Sequence, residues 1–163
     1  LLSAISRLHE EGLAVRLVLV GDGPDRDDLE RQARALGIKE MVTFLGPRSD
    51  LARVLASLDI LALPSVFEGF GIVQAEGMWM RLPVVATNAG GALEVVEDGV
   101  TGYLVPFGDI GMLTDMLRRL VENPELQLRM GSAGRKRVEL HFTTDAMIDE
   151  YLRLYSSRAA VLQ

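Results

Sequence analysis

The sequence predicts a doubly wound α/β fold, in which helices cover both faces of a parallel β-sheet. Short apolar runs alternate with longer amphipathic stretches along the whole chain. The runs lack the polar alternation of a half-exposed strand, which indicates strands buried on both faces. Each connection is long enough to hold a helix, and helical crossovers are what join parallel strands.

The first half of the chain is divided by residues that end helices and strands. We predict a helix over Leu1–Glu11, a strand over Val15–Val20, a helix over Asp25–Leu36, a strand over Met41–Leu45, a helix from Ser49 or Asp50 to Ser57, and a strand over Asp59–Leu63. Gly12 and Gly37 end the first two helices because glycine readily adopts the left-handed conformation that closes a helix. Ser49 or Asp50 begins the third by accepting backbone N–H bonds.

The second half repeats this alternation and ends in helices. We predict a helix over Phe70–Met80, a strand over Pro83–Thr87, a short helix from Gly90 toward Glu97, a strand over Gly102–Val105, helices from Asp109 and Pro124, and a final helix over Thr143–Tyr155. In such sheets, ligands bind at the carboxyl ends of the strands. The loops that follow the strands are therefore the places to look for function.

Size and composition indicate one domain over residues 1–163 and exclude several functions. Hydrophobic residues make up 48% of the chain, and the net charge is −6 with no long basic run, which argues against nucleic acid as a partner. The apolar runs are too short to span a bilayer. The chain has no cysteine, which fits a reducing compartment, and we expect a cytoplasmic location.

The most informative segment runs from Pro64 to Glu76, because it leaves a strand, crosses a glycine-bearing loop and enters a helix. The start of a helix offers unpaired N–H groups and a partial positive charge. Glycines at 69 and 71 allow a ligand to approach the backbone closely. We therefore expect a diphosphate to bind the N–H groups of Gly71, Ile72 and Val73.

Two glutamates flank this phosphate site. Glu76 lies five residues along the helix from Gly71, roughly 7 Å along its axis, where its carboxylate would accept from both hydroxyls of a ribose. Glu68 precedes the helix, where it would hold hydroxyls of a donor sugar. The segment thus offers a contact for each part of a nucleotide sugar. Glycines that only form turns, together with glutamates that only face solvent, would give the same sequence pattern.

These residues resemble a family of retaining glycosyltransferases whose signature is two glutamates separated by seven residues. Further stretches match the family in order: Leu17–Pro24, Val42–Gly46, Asp59–Ser65, Pro83–Thr87, Gly90–Glu94, Asp98–Val105 and His141–Thr144. The resemblance, to the family 4 type or glycosyl transferases group 1, covers nearly the whole chain. It implies the C-terminal, Rossmann-like half of a GT-B fold, whose N-terminal half binds the acceptor.

The resemblance also implies roles for individual residues. Glu68 is the candidate catalytic residue at the donor sugar, without a nucleophile's role, and Glu76 holds the ribose. The remaining candidates bind or surround the nucleotide sugar: Gly69, Phe70, Gly71, Ile72 and Val73 at sugar and phosphate, Gly46 and Arg48 at the base, and Gly21, Gly23, Gly90 and Gly91 at the floor of the cleft. The donor is expected to be UDP- or GDP-linked. No cofactor or metal is expected.

The sequence departs from the family at several positions. Arg81 replaces a glycine that often ends the helix in a left-handed conformation, and Trp79 replaces a small residue. The family's phosphate-binding Arg and Lys follow a first strand that would precede Leu1. Without that strand, we expect Val15–Val20 either to pair directly with Asp59–Leu63 or to face it across an open slot, which we favour. We also expect this chain alone to transfer no sugar.

Alternative functions remain open at the level of sequence. The chain would also suit a non-catalytic nucleotide-sugar-binding module, or an epimerase or phosphorylase of the same fold. The acidic triplet Asp25-Arg26-Asp27 more simply begins a helix than binds a metal. Arg129, Arg135, Lys136 and Arg137 are expected to form a solvated basic face, and peripheral association with the inner face of a membrane is the alternative.

Overall fold

The structure, a computed structural model, describes residues 1–66 and 68–161. The helices are α1 (Leu2–Glu10), α2 (Arg26–Ala35), α3 (Leu51–Leu55), α4 (Ile72–Trp79), α5 (Ala92–Val95), α6 (Ile110–Val121), α7 (Pro124–His141) and α8 (Thr144–Val161). The strands are β1 (Leu17–Val20), β2 (Val42–Gly46), β3 (Leu61–Leu63), β4 (Val84–Thr87) and β5 (Gly102–Val105). A single 3-10 turn, which the sequence did not predict, covers Lys39–Met41.

All strand pairs among these elements are parallel, which confirms the predicted α/β fold. β1 pairs with β2, and β4 lies between β3 and β5 in a second group. β4 is buried at every position, as expected for a central strand covered on both faces.

The two groups of strands are separated rather than joined. β1 has β2 as its one partner in the described part of the chain, and β3 has β4. A cavity of about 990 Å³, lined by both facing strands and by Leu1 and Leu2, lies between them. Of the two arrangements that the sequence left open, the structure therefore has the open slot.

Two apolar clusters hold the helices against the strands. Leu2, Ile5 and Leu8 of α1 are buried in the larger cluster, which also contains residues of β1, β2, β4, β5 and α6. The smaller cluster joins β3 and β4 to α4 and α7 around Met78, which has no exposed surface. α1 therefore packs on the sheet.

The basic stretch of α7 is only in part the solvated face that the sequence predicted: Arg129 and Lys136 are exposed, but Arg135 and Arg137 are half-buried. Arg137 donates to the backbone carbonyls of Val95 and Glu94 at 2.9 and 2.8 Å. Arg135 donates to the carbonyl of Trp79 at 2.7 Å and lies over its indole ring, 3.4 Å from the centroid. These hydrogen bonds hold α7 against α4 and α5, because the carbonyl groups at the ends of those helices need donors.

Trp79, which stands where the family has a small residue, is 41% exposed and lies under Arg135 at the surface. Two local expectations also changed. Asp50 precedes α3 but makes no side-chain cap bond, since its carboxylate accepts from Arg48 instead. The last helix continues past Tyr155 to Val161.

Within the described residues, no helix has the length and apolar character needed to cross a bilayer.

Candidate functional site

The candidate site lies where the carboxyl ends of β1, β2 and β3 meet the start of α4. Gly21 follows β1, Arg48 follows β2 and Ser65 follows β3, and all three line the cavity between the strand groups. Val73, in the first turn of α4, lines the same cavity. Loops that are distant in sequence are thus brought together at one edge of the sheet, as expected for a parallel fold.

The start of α4 is open to a ligand. Gly71 occupies the N-cap with φ +83° and ψ +46°, a left-handed conformation that glycine adopts without strain. No described residue accepts a hydrogen bond from the N–H groups of Gly71, Ile72 or Val73. Ile72 is 65% exposed and Val73 is 36% exposed. Gly71 itself is buried, so the first turn is exposed at Ile72 and Val73, where its N–H donors and the positive end of the helix lack a described partner.

The loop before α4 rests on the Gly90-Gly91 turn. The N–H of Gly91 donates to the carbonyl oxygen of Glu68 at 3.0 Å. A Cβ on Gly90 would overlap that same oxygen, and a Cβ on Gly91 would overlap the backbone of Gly69 and Phe70. These glycines, predicted to shape the floor of the cleft, lie against the back of the loop that carries Glu68.

Glu68 and Glu76 differ in their surroundings. Glu68 is partly buried in the loop before α4, and Glu76 is exposed on α4 itself. Between them, Phe70 is 44% exposed and packs edge-on against Phe142, with 5.6 Å between ring centroids. This contact ties the Glu68–Gly71 loop to the end of α7.

The glycines after β1 and β2 are linked to each other. The N–H of Gly21 donates to the carbonyl oxygen of Gly46 at 2.8 Å, so the two loops leave the sheet side by side. Gly23 is exposed in the turn that leads to α2, and a Cβ there would meet no described atom. Gly21 and Gly46 thus fix the backbone at the rim of the cavity.

Arg48, the predicted base-binding side chain, is paired within its own loop. Its Nε and Nη2 atoms donate to the two carboxylate oxygens of Asp50, both at 2.7 Å. These hydrogen bonds lower the pKa of the Asp50 carboxyl and raise the pKa of the Arg48 guanidinium. Arg48 is therefore oriented by Asp50 before any ligand arrives.

Gln74 is a residue of this site that the sequence analysis did not single out. Its side chain is fully buried, and neither Oε1 nor Nε2 has a hydrogen-bond partner among the described residues. Buried amides are nearly always paired. A signal was present in the sequence, because Gln74 stands four residues before the core residue Met78 on the inner face of α4.

Acidic side chains do not gather into a metal-binding cluster in the described part of the chain. No group of three or more Asp, Glu or His residues is placed to hold an ion there. Asp25 precedes α2, with Asp27 in the first turn. At that position, acidic residues suit the positive end of the helix.

The chain is similar in sequence to proteins of known activity. The family described as "Glycosyl transferases group 1" matches residues 1–137. The chain is 35% identical to N-acetyl-alpha-D-glucosaminyl L-malate synthase of Bacillus anthracis over 86% of this chain and 37% of that protein. It is 33% identical to alpha-D-kanosaminyltransferase of Streptomyces kanamyceticus over 94% of this chain and 40% of that protein. The chain thus spans about two-fifths of these relatives.

A solved structure has a similar fold. Anabaena Alr3699/HepE in complex with UDP superposes with a TM-score of 0.86 and 30% sequence identity. The match covers 96% of this chain and 44% of the HepE chain. The architecture described above is thus shared with part of a longer protein that was solved with UDP.

Proposed function

Because this chain belongs to the glycosyl transferases group 1 family of GT-B glycosyltransferases, we propose that it binds the donor nucleotide sugar in a retaining enzyme. The intact enzyme would move a hexose-type sugar from a nucleoside diphosphate to an acceptor hydroxyl. The observation that carries the proposal is the open first turn of α4 between Glu68 and Glu76. UDP is the first candidate nucleotide, since HepE was solved with UDP, and GDP is the second.

The first turn of α4 suits a diphosphate by its charge and its donors. The N–H groups of Gly71, Ile72 and Val73 have no described acceptor, and the helix end carries about half a positive charge. We propose that these groups bind the phosphates and that no metal ion is needed. Arg48, held by Asp50, lies after β2 where it would meet the base.

During sugar transfer, negative charge would develop on the diphosphate bound at the same turn of α4. The bond between the anomeric carbon and the diphosphate oxygen breaks with its electron pair going to the diphosphate. The acceptor oxygen bonds to that carbon from the same face, and its proton passes to the departing phosphate oxygen. Donors aimed at the developing charge stabilise the leaving group. Glu68 would orient the sugar by accepting from its hydroxyls.

The acceptor would come from a second domain of the intact enzyme. In the proposed arrangement, an N-terminal acceptor-binding domain faces the edge of the sheet where β1, β2 and β3 end. This chain alone is then expected to bind the nucleotide and to transfer no sugar. We also propose a cytoplasmic enzyme; peripheral membrane contact through α7 would depend on Arg129 and Lys136, which are the exposed members of the basic stretch.

Nucleotide binding by the purified chain tests this function. We expect UDP or GDP to shift the backbone amide resonances of Gly71, Ile72 and Val73 in an NMR titration that extends to millimolar affinity. EDTA should leave the dissociation constant unchanged, because the phosphates bind backbone donors. No binding of either nucleotide, or binding that requires magnesium or manganese, would contradict the proposal. Sugar transfer by the chain alone would contradict the need for a facing domain.

A further inference from the structure

The amide of Gln74 is packed beneath the N-cap of α4. If Gly71 carried a Cβ, that atom would lie 2.7 Å from Oε1 of Gln74 and 3.3 Å from Nε2. Gln74 is the third residue of the helix after the N-cap, the position from which Gln or Glu reaches back to the N-cap N–H in a capping box. Here the side chain is turned back toward the N-cap, but no cap bond is formed.

Burying an amide without a hydrogen-bond partner is unfavourable, so the presence of glutamine at position 74 calls for an explanation. The side chain has no exposed surface, and both its polar atoms lack a partner in residues 1–66 and 68–161. Leu or Met would fill the same space without the desolvation cost. The amide also lies against Gly71, the first of the three residues whose N–H groups have no described acceptor. Unpaired donors and an unpaired amide thus occur together at one helix end.

We propose that Gln74 is a positioning residue whose amide gains hydrogen bonds when the donor diphosphate binds to the start of α4. The inference rests on the proposed nucleotide function. In the absence of nucleotide, the amide lies against the Gly71 backbone and has no hydrogen-bond partner. When phosphate oxygens engage the first turn, the Glu68–Gly71 segment adjusts and the amide pairs with its backbone. Gln74 thereby couples the conformation of that segment to occupancy of the site.

The substitution Gln74→Met separates this coupling from simple packing. Met has a similar volume and no amide, so the ligand-free protein should melt at a higher temperature. The bound state should lose the new hydrogen bonds, so UDP should bind about tenfold more weakly. Gln127→Met is the matched control, since Nε2 of Gln127 already donates to the carbonyl of Leu120 at 2.8 Å. That variant should melt at a lower temperature and bind UDP as the unchanged chain does.

A direct signal comes from the side-chain amide of Gln74 itself. Its NMR resonances, assigned by their loss in Gln74→Met, should shift when the unchanged chain is saturated with UDP. Gln74→Leu provides a second variant if the methionine protein does not fold. Unchanged affinity in both variants, or an amide signal that does not move, would overturn the inference while leaving the nucleotide function intact. Failure of the unchanged chain to bind UDP or GDP would overturn both.

Discussion

The backbone N–H of Gly91 donates a hydrogen bond to the carbonyl oxygen of Glu68 over 3.0 Å. The two residues lie on loops that follow different strands, β3 and β4. Because a Cβ at Gly91 would overlap Gly69 and Phe70, the close approach of these loops depends on glycine. The position of Glu68 is thus set by a turn that follows the next strand of the sheet.

Gly91→Ala should therefore displace the Glu68 loop. We expect a destabilisation of about 1–3 kcal/mol, because overpacking forces backbone shifts, and weaker UDP binding. Thermal melting and an NMR titration measure the two effects. Gly111→Ala is the control, since its Cβ would lie in ordinary contact with the Asp109 side chain inside α6; it should stabilise the chain and leave UDP binding unchanged. A Gly91→Ala protein that binds UDP normally would show that the loop tolerates the shift.

Glu76→Gln should weaken nucleotide binding by about 1–3 kcal/mol, because one of its two acceptor oxygens becomes a donor against the ribose hydroxyls. Glu76 is exposed, so the substitution should barely change thermal stability. Calorimetry or NMR titration with UDP and GDP measures the affinity. Glu122→Gln, at the end of α6, is the control for loss of one negative charge. Equal affinities of the two variants for the nucleotide would show that Glu76 does not bind the ribose.

Arg81 has φ +62° and is the one non-glycine residue with positive φ in the described part of the chain. Its N–H donates to the carbonyl of Met78, and the N–H of Leu82 donates to that of Gly77, which together form a Schellman motif. Arg81→Gly should raise stability by up to about 1 kcal/mol, or about 2 °C in melting temperature, by relieving the left-handed strain. Arg81→Ala keeps the strain and should show no such gain. If both variants melted alike, backbone strain would not be the cause.

The side chain of Glu11 links α1 to α6. Arg118 donates to both of its carboxylate oxygens at 2.6 and 2.7 Å, and this hydrogen bonding lowers the pKa of Glu11 below its ordinary value of 4.5. A lowered folded-state pKa contributes stability above the ordinary value, and this is lost as pH falls through the folded-state pKa. Arg118→Met should return the pKa of Glu11 toward 4.5 in an NMR titration. Arg119→Met should leave it low; a low pKa in both variants would exclude the Arg118 pair as its cause.

Local patterns in the sequence determined the elements of this fold and their order. Apolar runs and helix-ending glycines placed the strands and α-helices within a few residues, except for the end of α8, because these signals act over one or two turns of chain. The spacing of Glu68 and Glu76 located the candidate site. The left-handed conformation of Arg81 is the one that the resemblance implied for the glycine it replaces.

Only the tertiary structure decided how these elements meet. It placed Gly90 and Gly91 behind the Glu68 loop, tied Arg135 and Arg137 to backbone carbonyls, and left the amide of Gln74 unpaired. The first two findings are contacts between separate elements, and the third is a side chain that folding buries without a partner. Such contacts are set by how close two backbones approach and which polar groups lose water, and the local spacing of residues carries little information about either.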